Sequence, residues 1–319
     1  MRIPSETSYD NITIRNYGDQ HFFPPEHLQD GLEEVVVFNE NTTKRDIPNG
    51  SVWQYQENAT YNPELLKDDV GCGISRYNIH GDFPTKTTSQ EAELTEFIHE
   101  LWAAADKEGI SIGRGNHFID FTRYDSYRRA DNGGAVFVHS DMNPAGEKPE
   151  TYKAARRRMK EASKGRDEVA HTLLDRLGLD HEKTGDWPHN TVERTEAGLT
   201  YRKGAIKLID QESKEGAAEG ILGLTPSRGL FRYAISTDLD SWENLKYSMQ
   251  HGVGKIQSQK MFYRDWPNKR KNKKEVYHVS GFNERLEDGY QSISEFTDTF
   301  GSEMTGLGVY RPEFIVKTG

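Results

Sequence analysis

Asp68-Asp69-Val70-Gly71-Cys72-Gly73 is the stretch around which the chain is read, because it holds the only cysteine. One cysteine cannot close an internal disulfide, and by default it is a small buried hydrophobe. Its neighbours point further. Glycine on each side frees the backbone and lets another group come close. A carboxylate three residues before the thiol puts a hard and a soft ligand within reach of one ion or of two. The turn is thus the floor of a candidate metal site, and the rest of the chain has to supply the walls.

The chain of 319 residues can bury a sizeable core. Apolar residues make up 34% and charged residues 29%, with a mean hydropathy of −0.85. Fifteen Tyr, 14 Phe and 5 Trp are too many aromatics for a disordered chain. No apolar run approaches the length of a membrane span. The start, Met1-Arg2-Ile3-Pro4-Ser5-Glu6, lacks the apolar region of a secretory signal. With one cysteine, this predicts a cytoplasmic protein in a reducing compartment, so the Asn-X-Thr triplets at Asn11, Asn41 and Asn58 are not read as glycosylation sites. The net charge of −10 argues against a polyanion partner, except where cations cluster locally.

Outward from the cysteine turn, the elements alternate irregularly. Residues 1–30 are polar and turn-rich. Val35-Val36-Val37-Phe38 marks a strand; residues 39–50 read as a loop and 51–67 as irregular. Leu94, Phe97, Ile98, Leu101 and Trp102 give the span from Ser89 to Glu108 one apolar helical face, ended by Gly109. A strand enters at His117-Phe118-Ile119-Asp120, and Ala135-Val136-Phe137-Val138-His139-Ser140 is a buried strand with a polar tip. Pro149 to Gly165 and Arg166 to Leu177 read as two helices. Strands are expected over Leu199 to Ile209, Gly229 to Ser236 and Phe314 to Lys317, and a short helix around Ile293 and Phe296. Mixed strands and helices without regular alternation predict an α+β fold. With no linker or repeat, one domain spans 1–319.

Among 11 histidines, His117, His139, His189 and His251 stand out at strand tips or beside glycine. They lie 22, 50 and 62 residues apart, which matches no local metal-binding spacing. Each alone reads by default as a buried, hydrogen-bonded structural histidine.

Taken together, six segments resemble the RtcB family of RNA-splicing ligases, in that family's order. Asp69-Val70-Gly71-Cys72-Gly73 resembles D-x-G-C-G, and Gly115-Asn116-His117-Phe118-Ile119-Asp120 resembles G-N-H-F-I-E. Val138-His139-Ser140 resembles the start of H-S-G-S-R-G, and His189-Asn190 resembles H-N. Arg202-Lys203-Gly204-Ala205 matches R-K-G-A, and His251-Gly252-Val253-Gly254-Lys255 resembles H-G-A-G-R. Pro25-Glu26-His27 faintly echoes P-D-V-H, and the likeness runs from about residue 25 to the end.

The resemblance implies a ligase that joins RNA ends carrying a 2′,3′-cyclic phosphate or 3′-phosphate to ends carrying a 5′-hydroxyl. GTP and two manganese ions are the implied cofactors, and broken RNA is the implied partner. Cys72 would bridge the two ions as thiolate, with His117 and His139 completing one site and Asp69 with His189 the other. His251 would be the nucleophile, forming a covalent histidine–GMP intermediate. Asn116 would contact phosphate and Asp120 would accept from guanine. Ser227, Tyr290 and Lys317 would complete the nucleotide pocket, and the glycines at 252 and 254 would leave it room.

The sequence departs from the family after His139, where Ser140-Asp141-Met142-Asn143-Pro144 loses an arginine and two glycines and gains a carboxylate. Lys255 and Asp120 replace an arginine and a glutamate, and Arg228 adds a charge near the nucleotide. These departures leave two other readings: GMP-capping of 3′-phosphate ends with poor sealing, and a non-catalytic RNA-binding relative stabilised by metal. Arg156 to Lys164 and Lys269 to Lys274 are the cation clusters that suit an RNA backbone. Trp266 could stack on a base.

Overall fold

The computed structural model describes residues 4–18, 21–40, 43–44, 47–67, 69–81, 117–126, 133–141, 148–208, 217–224, 228–236, 242–254, 274–278, 291–301 and 304–318. The fold is α+β, built on two large sheets.

The first sheet has six strands: β1 (Ser5–Tyr9), β2 (Ile12–Asn16), β3 (Leu32–Val37), β6 (Ser51–Tyr55), β11 (Asn190–Thr195) and β12 (Gly198–Lys203). They run in the order β1-β2-β3-β6-β12-β11. A small hairpin of β4 (Thr43–Lys44) and β5 (Ile47–Pro48) sits between β3 and β6. Strand β3 reads as an unbroken apolar run because both its faces are covered. Val35 joins Trp53, Tyr201 and Val192 on one side, and Val36 joins Val52, Leu245 and Met249 on the other.

The second sheet contains β7 (Gly73–His80), β8 (Phe118–Ser126), β9 (Gly134–Ser140), β10 (Asp180–Pro188), β14 (Ala217–Gly223), β15 (Leu230–Ser236), β17 (Lys274–His278) and β18 (Met304–Thr318). Its order is β10-β7-β9-β8-β18-β15-β14, with β17 also paired to β18. The sheet curls until its two ends meet. The Trp187 indole on β10 donates to the Glu219 carbonyl on β14 at 3.2 Å, and Arg76 on β7 donates to the Glu219 carboxylate at 2.6 Å. Ile74, Phe137, Trp187, Ile221 and Tyr310 fill the enclosed side. A two-stranded pair of β13 (Ala205–Lys207) and β16 (Ser248–Gln250) lies beside it.

Helix α1 (Tyr152–Arg176) covers the outer face of this second sheet, packing Val169, Ala170, Leu173 and Leu174 on Tyr77, Ile119, Phe121, Val136 and Val138. The Thr151 hydroxyl caps its start by accepting from the Ala154 amide at 3.2 Å. Gly165 does not divide it, contrary to the sequence expectation of two helices. One interior glycine costs only about 1 kcal/mol. The buried series Ala155, Ala162, Arg166, Val169 and Leu173 runs straight through it. Helix α2 (Ile293–Phe300) is the expected short helix, with Phe296 and Phe300 buried.

Other differences concern strands. Residues 5–16 form a hairpin whose Asp10 and Asn11 both have positive φ, the backbone of a tight two-residue turn. Residues 51–55 are a buried central strand where irregular chain was expected. The strand expected over Leu199 to Ile209 is interrupted at Gly204, whose φ is +65°, and continues in a different sheet. The helix expected from Ser89 to Glu108, and the basic stretch up to Lys273, lie outside the described residues.

Candidate metal centre

The two sheets meet where β10 passes into β11, and His189 is the residue at that junction. Among the described residues, the cysteine turn and the start of β13 are tied to it by the backbone. The His189 amide donates to the Cys72 carbonyl at 2.9 Å, and the Gly71 amide donates to the Asn190 carbonyl at 2.8 Å. The Ala205 amide donates to the His189 carbonyl at 3.0 Å, and the His251 amide to the Gly204 carbonyl at 3.1 Å. Strand pairing does the rest, setting His139 on β9 opposite both Ile74 and Phe118. Cys72 enters β7, His117 enters β8, His139 leads to the end of β9, and His251 follows β16. Antiparallel neighbours bring the first three of these to one end of the sheet, and the backbone bond to Gly204 sets His251 beside them.

The geometry is close. Cys72 Sγ lies 3.3 Å from Nε2 of His117 and 3.3 Å from Nε2 of His139. Cys72, His139 and His189 place donor atoms within 4.8 Å of one another. The rings of His117 and His139 are 5.0 Å apart, those of His139 and His189 5.1 Å, and His251 stacks on His189 at 4.2 Å. The first four of these side chains are buried. Asp69 is nearby but engaged, its carboxylate accepting from the buried Lys203 ammonium at 2.6 Å.

The electrostatics suit a cation. Burial holds His189 well below the usual histidine value, helped by His251 and His139 beside it, so its ring is neutral and offers a lone pair. Its Nδ1 is buried and has no hydrogen-bond partner among the described residues. Burial also pushes the Cys72 thiol up, as do Asp141 and Asp69, while Arg166 and Lys203 oppose them. One thiol, three imidazoles and nearby carboxylates form a mixed donor set that fits a first-row divalent ion.

Both glycines of the cysteine turn are sites of close approach, to helix α1 at each and also to the Pro188 Cα at 2.8 Å at Gly73. At Gly71, with φ +85°, a Cβ would lie 2.8 Å from the Ala162 Cβ and 3.0 Å from the Met159 Cα. At Gly73 it would lie 2.8 Å from the Arg166 guanidinium. Arg166 is wholly buried and was hidden in the sequence among solvent-facing cations. It donates to the carbonyl of Gly71, just before Cys72, at 2.9 Å, and to that of Ser140, just after His139, at 3.0 Å. It also reaches Ser75 Oγ and Asp186 Oδ1, each at 3.0 Å. One guanidinium therefore fixes the backbone beside two of the clustered side chains.

Glu40 is a second residue the sequence did not reveal. His251 Nδ1 donates to the Gly204 carbonyl at 2.7 Å and lies 3.3 Å from Glu40 Oε2. A carbonyl can only accept, so Nδ1 carries the hydrogen and Nε2 is the nitrogen left with a lone pair. Burial lowers the pKa of His251, but Glu40, by charge and hydrogen bonding, and the Gly204 carbonyl outweigh it and raise the net value. Gly254, with φ +80°, is shaped by the same residue, since a Cβ there would strike the Glu40 carbonyl at 1.9 Å. The room at that glycine belongs to Glu40 and not to a ligand.

The remaining expected residues are more scattered. Asp120 is buried in β8, opposite Phe137 on the enclosed side of the curled sheet. Lys317 lies on β18 in register with Glu275. Asn116, Ser227, Tyr290 and the Lys317 side chain lie outside the described residues. In the basic run of α1, Arg157 and Lys164 are exposed and paired to Glu161 and Glu168 one turn on.

No protein-family model matches the chain, and no curated protein matches it. Among the described residues, no helix is long and apolar enough to cross a membrane.

Proposed function

We propose that the chain is a nucleotidyl-transferring metalloenzyme, and specifically a GTP- and manganese-dependent RNA ligase of the RtcB kind. It would seal 2′,3′-cyclic phosphate or 3′-phosphate ends to 5′-hydroxyl ends. The observation that carries this reading is the gathering of Cys72, His117, His139, His189 and His251, distant in sequence, around one thiol. These are positions at which the resemblance places metal ligands and a nucleophile.

Divalent ions held by Cys72, His117, His139 and His189, with Asp69 alongside, would supply positive charge to the triphosphate and the reacting ends. The chain's own contribution centres on His251. The Gly204 carbonyl accepts from Nδ1, which would leave Nε2 as the attacking atom. Nε2 would bond to the α-phosphorus of GTP as the bond to the β-phosphate oxygen breaks and pyrophosphate leaves. Glu40, beside Nδ1, offsets the positive charge that develops on the ring. GMP would then pass to the RNA 3′-phosphate, and the 5′-hydroxyl would displace it. A cyclic phosphate is first opened by water.

The segment after His139 favours a second reading, in which the 3′-phosphate is capped with GMP but sealed poorly. One experiment separates the two. The chain is incubated with GTP, Mn2+ and two RNA strands, one ending in a 2′,3′-cyclic phosphate and the other in a 5′-hydroxyl. A joined product is expected. Accumulation of capped strand without joining would replace ligation by capping, and neither product would refute both.

A further inference from the structure

Asp141 closes the buried end of β9 at a position for which the ligase resemblance supplies a glycine. Its carboxylate is buried, and its Oδ2 lies 4.0 Å from His117 Nε2. That same ring nitrogen is 3.3 Å from Cys72 Sγ. A carboxylate that merely orients a metal-binding histidine bonds the other ring nitrogen. Here the thiol and the carboxylate both approach Nε2 of His117. Two light donors, each about 2.1 Å from one ion, lie about 3 Å apart at a right angle and about 4.2 Å apart in line, so the observed separation fits a shared ion. Asp69, the carboxylate expected at the other site with His189, is meanwhile held by Lys203 at 2.6 Å.

We infer that Asp141 is a carboxylate ligand of the metal centre on its His117 side, for a hard divalent ion such as Mn2+. The inference rests on the metal centre proposed above and adds to it a ligand specific to this chain. Carboxylate oxygen shifts a thiolate–imidazole site toward manganese and away from softer ions.

The test is titration of the full-length protein with Mn2+ and with Co2+, by calorimetry and absorption, beside Asp141→Asn and Asp141→Glu. Partners one shell out from a metal are worth roughly 10–100-fold in affinity, so loss of a direct ligand is expected to weaken Mn2+ binding about a hundredfold in Asp141→Asn. The Cys72–Co2+ charge-transfer band should persist there while the d–d bands shift, and Asp141→Glu should recover most of the affinity. Wild-type affinity and unshifted d–d bands in Asp141→Asn would overturn the role of Asp141 alone. If Asp141→Asn fails to fold, wild-type affinity and unshifted d–d bands in Asp141→Ser overturn it instead. A wild-type protein that binds neither ion would overturn the metal centre itself, and this ligand with it.

Discussion

Replacing Arg166 by methionine keeps the apolar stem and removes the guanidinium that ties the cysteine turn to the end of β9. The side chain is 0% exposed and gives hydrogen bonds to Gly71 O, Ser140 O, Ser75 Oγ and Asp186 Oδ1. Breaking a buried ion pair by deleting one partner costs roughly 3–5 kcal/mol. Asp186 keeps Ser75 and Ser163, each at 2.7 Å, and Lys183 at 3.8 Å, so the low end, about 3 kcal/mol, applies. The two carbonyls that lose a buried donor add about 1 kcal/mol each. The expected loss is therefore about 5 kcal/mol, comparable with the whole stability of a marginal domain. Arg166→Lys keeps the charge near Asp186 but not the fork, and should lose about half as much. The assay is urea unfolding of the metal-free protein at pH 7, followed by tryptophan fluorescence. A loss below about 1 kcal/mol in Arg166→Met, or a lysine variant as stable as wild type, would refute the reasoning.

Acid should destabilise the fold through buried carboxylates. Burial raises the pKa values of Asp186, Glu193 and Glu219, but Arg166, Arg202 and Arg232 with their neighbours outweigh it and hold all three below their ordinary values. The unfolded chain therefore takes up protons first. Stability is full above the ordinary carboxylate values of 3.8 and 4.5. It falls as the pH drops through them toward the folded values. Urea midpoints measured from pH 7 to pH 3 check the direction, and a flat profile over that range counts against these pairs. Glu40→Gln should slow formation of the His251 adduct about a hundredfold, the low end of what a positioned acid–base partner supplies. Because Glu40 raises the His251 pKa, the acid limb of the rate profile should move to lower pH in the variant. An unmoved limb would remove Glu40 from that role.

Strands β3 and β9 were legible because each alternates its side chains between two buried cores, which leaves an unbroken apolar run. Strand β1 was not, since all five of its residues are exposed, and polarity carries no period there. Strand β7 hid behind Arg76, a buried cation that a sequence pattern reads as surface. The structure satisfies it with Glu219, Thr184 and Tyr310. In the site, the four histidines were singled out by their places at strand tips and beside glycine, yet their spacing could not bring them together. Sheet pairing does that, through contacts such as Ile74 with His139 and the β10–β11 crossing at His189. Glu40 gave no signal within a polar loop. Arg166 did give one, since it falls four residues after Ala162 and three before Val169 on the buried face of α1.

The central claim is that His251 is a nucleophile poised beside a metal centre. Its most direct measurement is incubation of the protein with α-labelled GTP and Mn2+, followed by denaturation and assay of protein-bound label. The account predicts label that is lost in acid, survives alkali as a histidine phosphoramidate does, and is absent from His251→Ala. A protein that binds manganese but acquires no label, or acquires as much in His251→Ala, would contradict it.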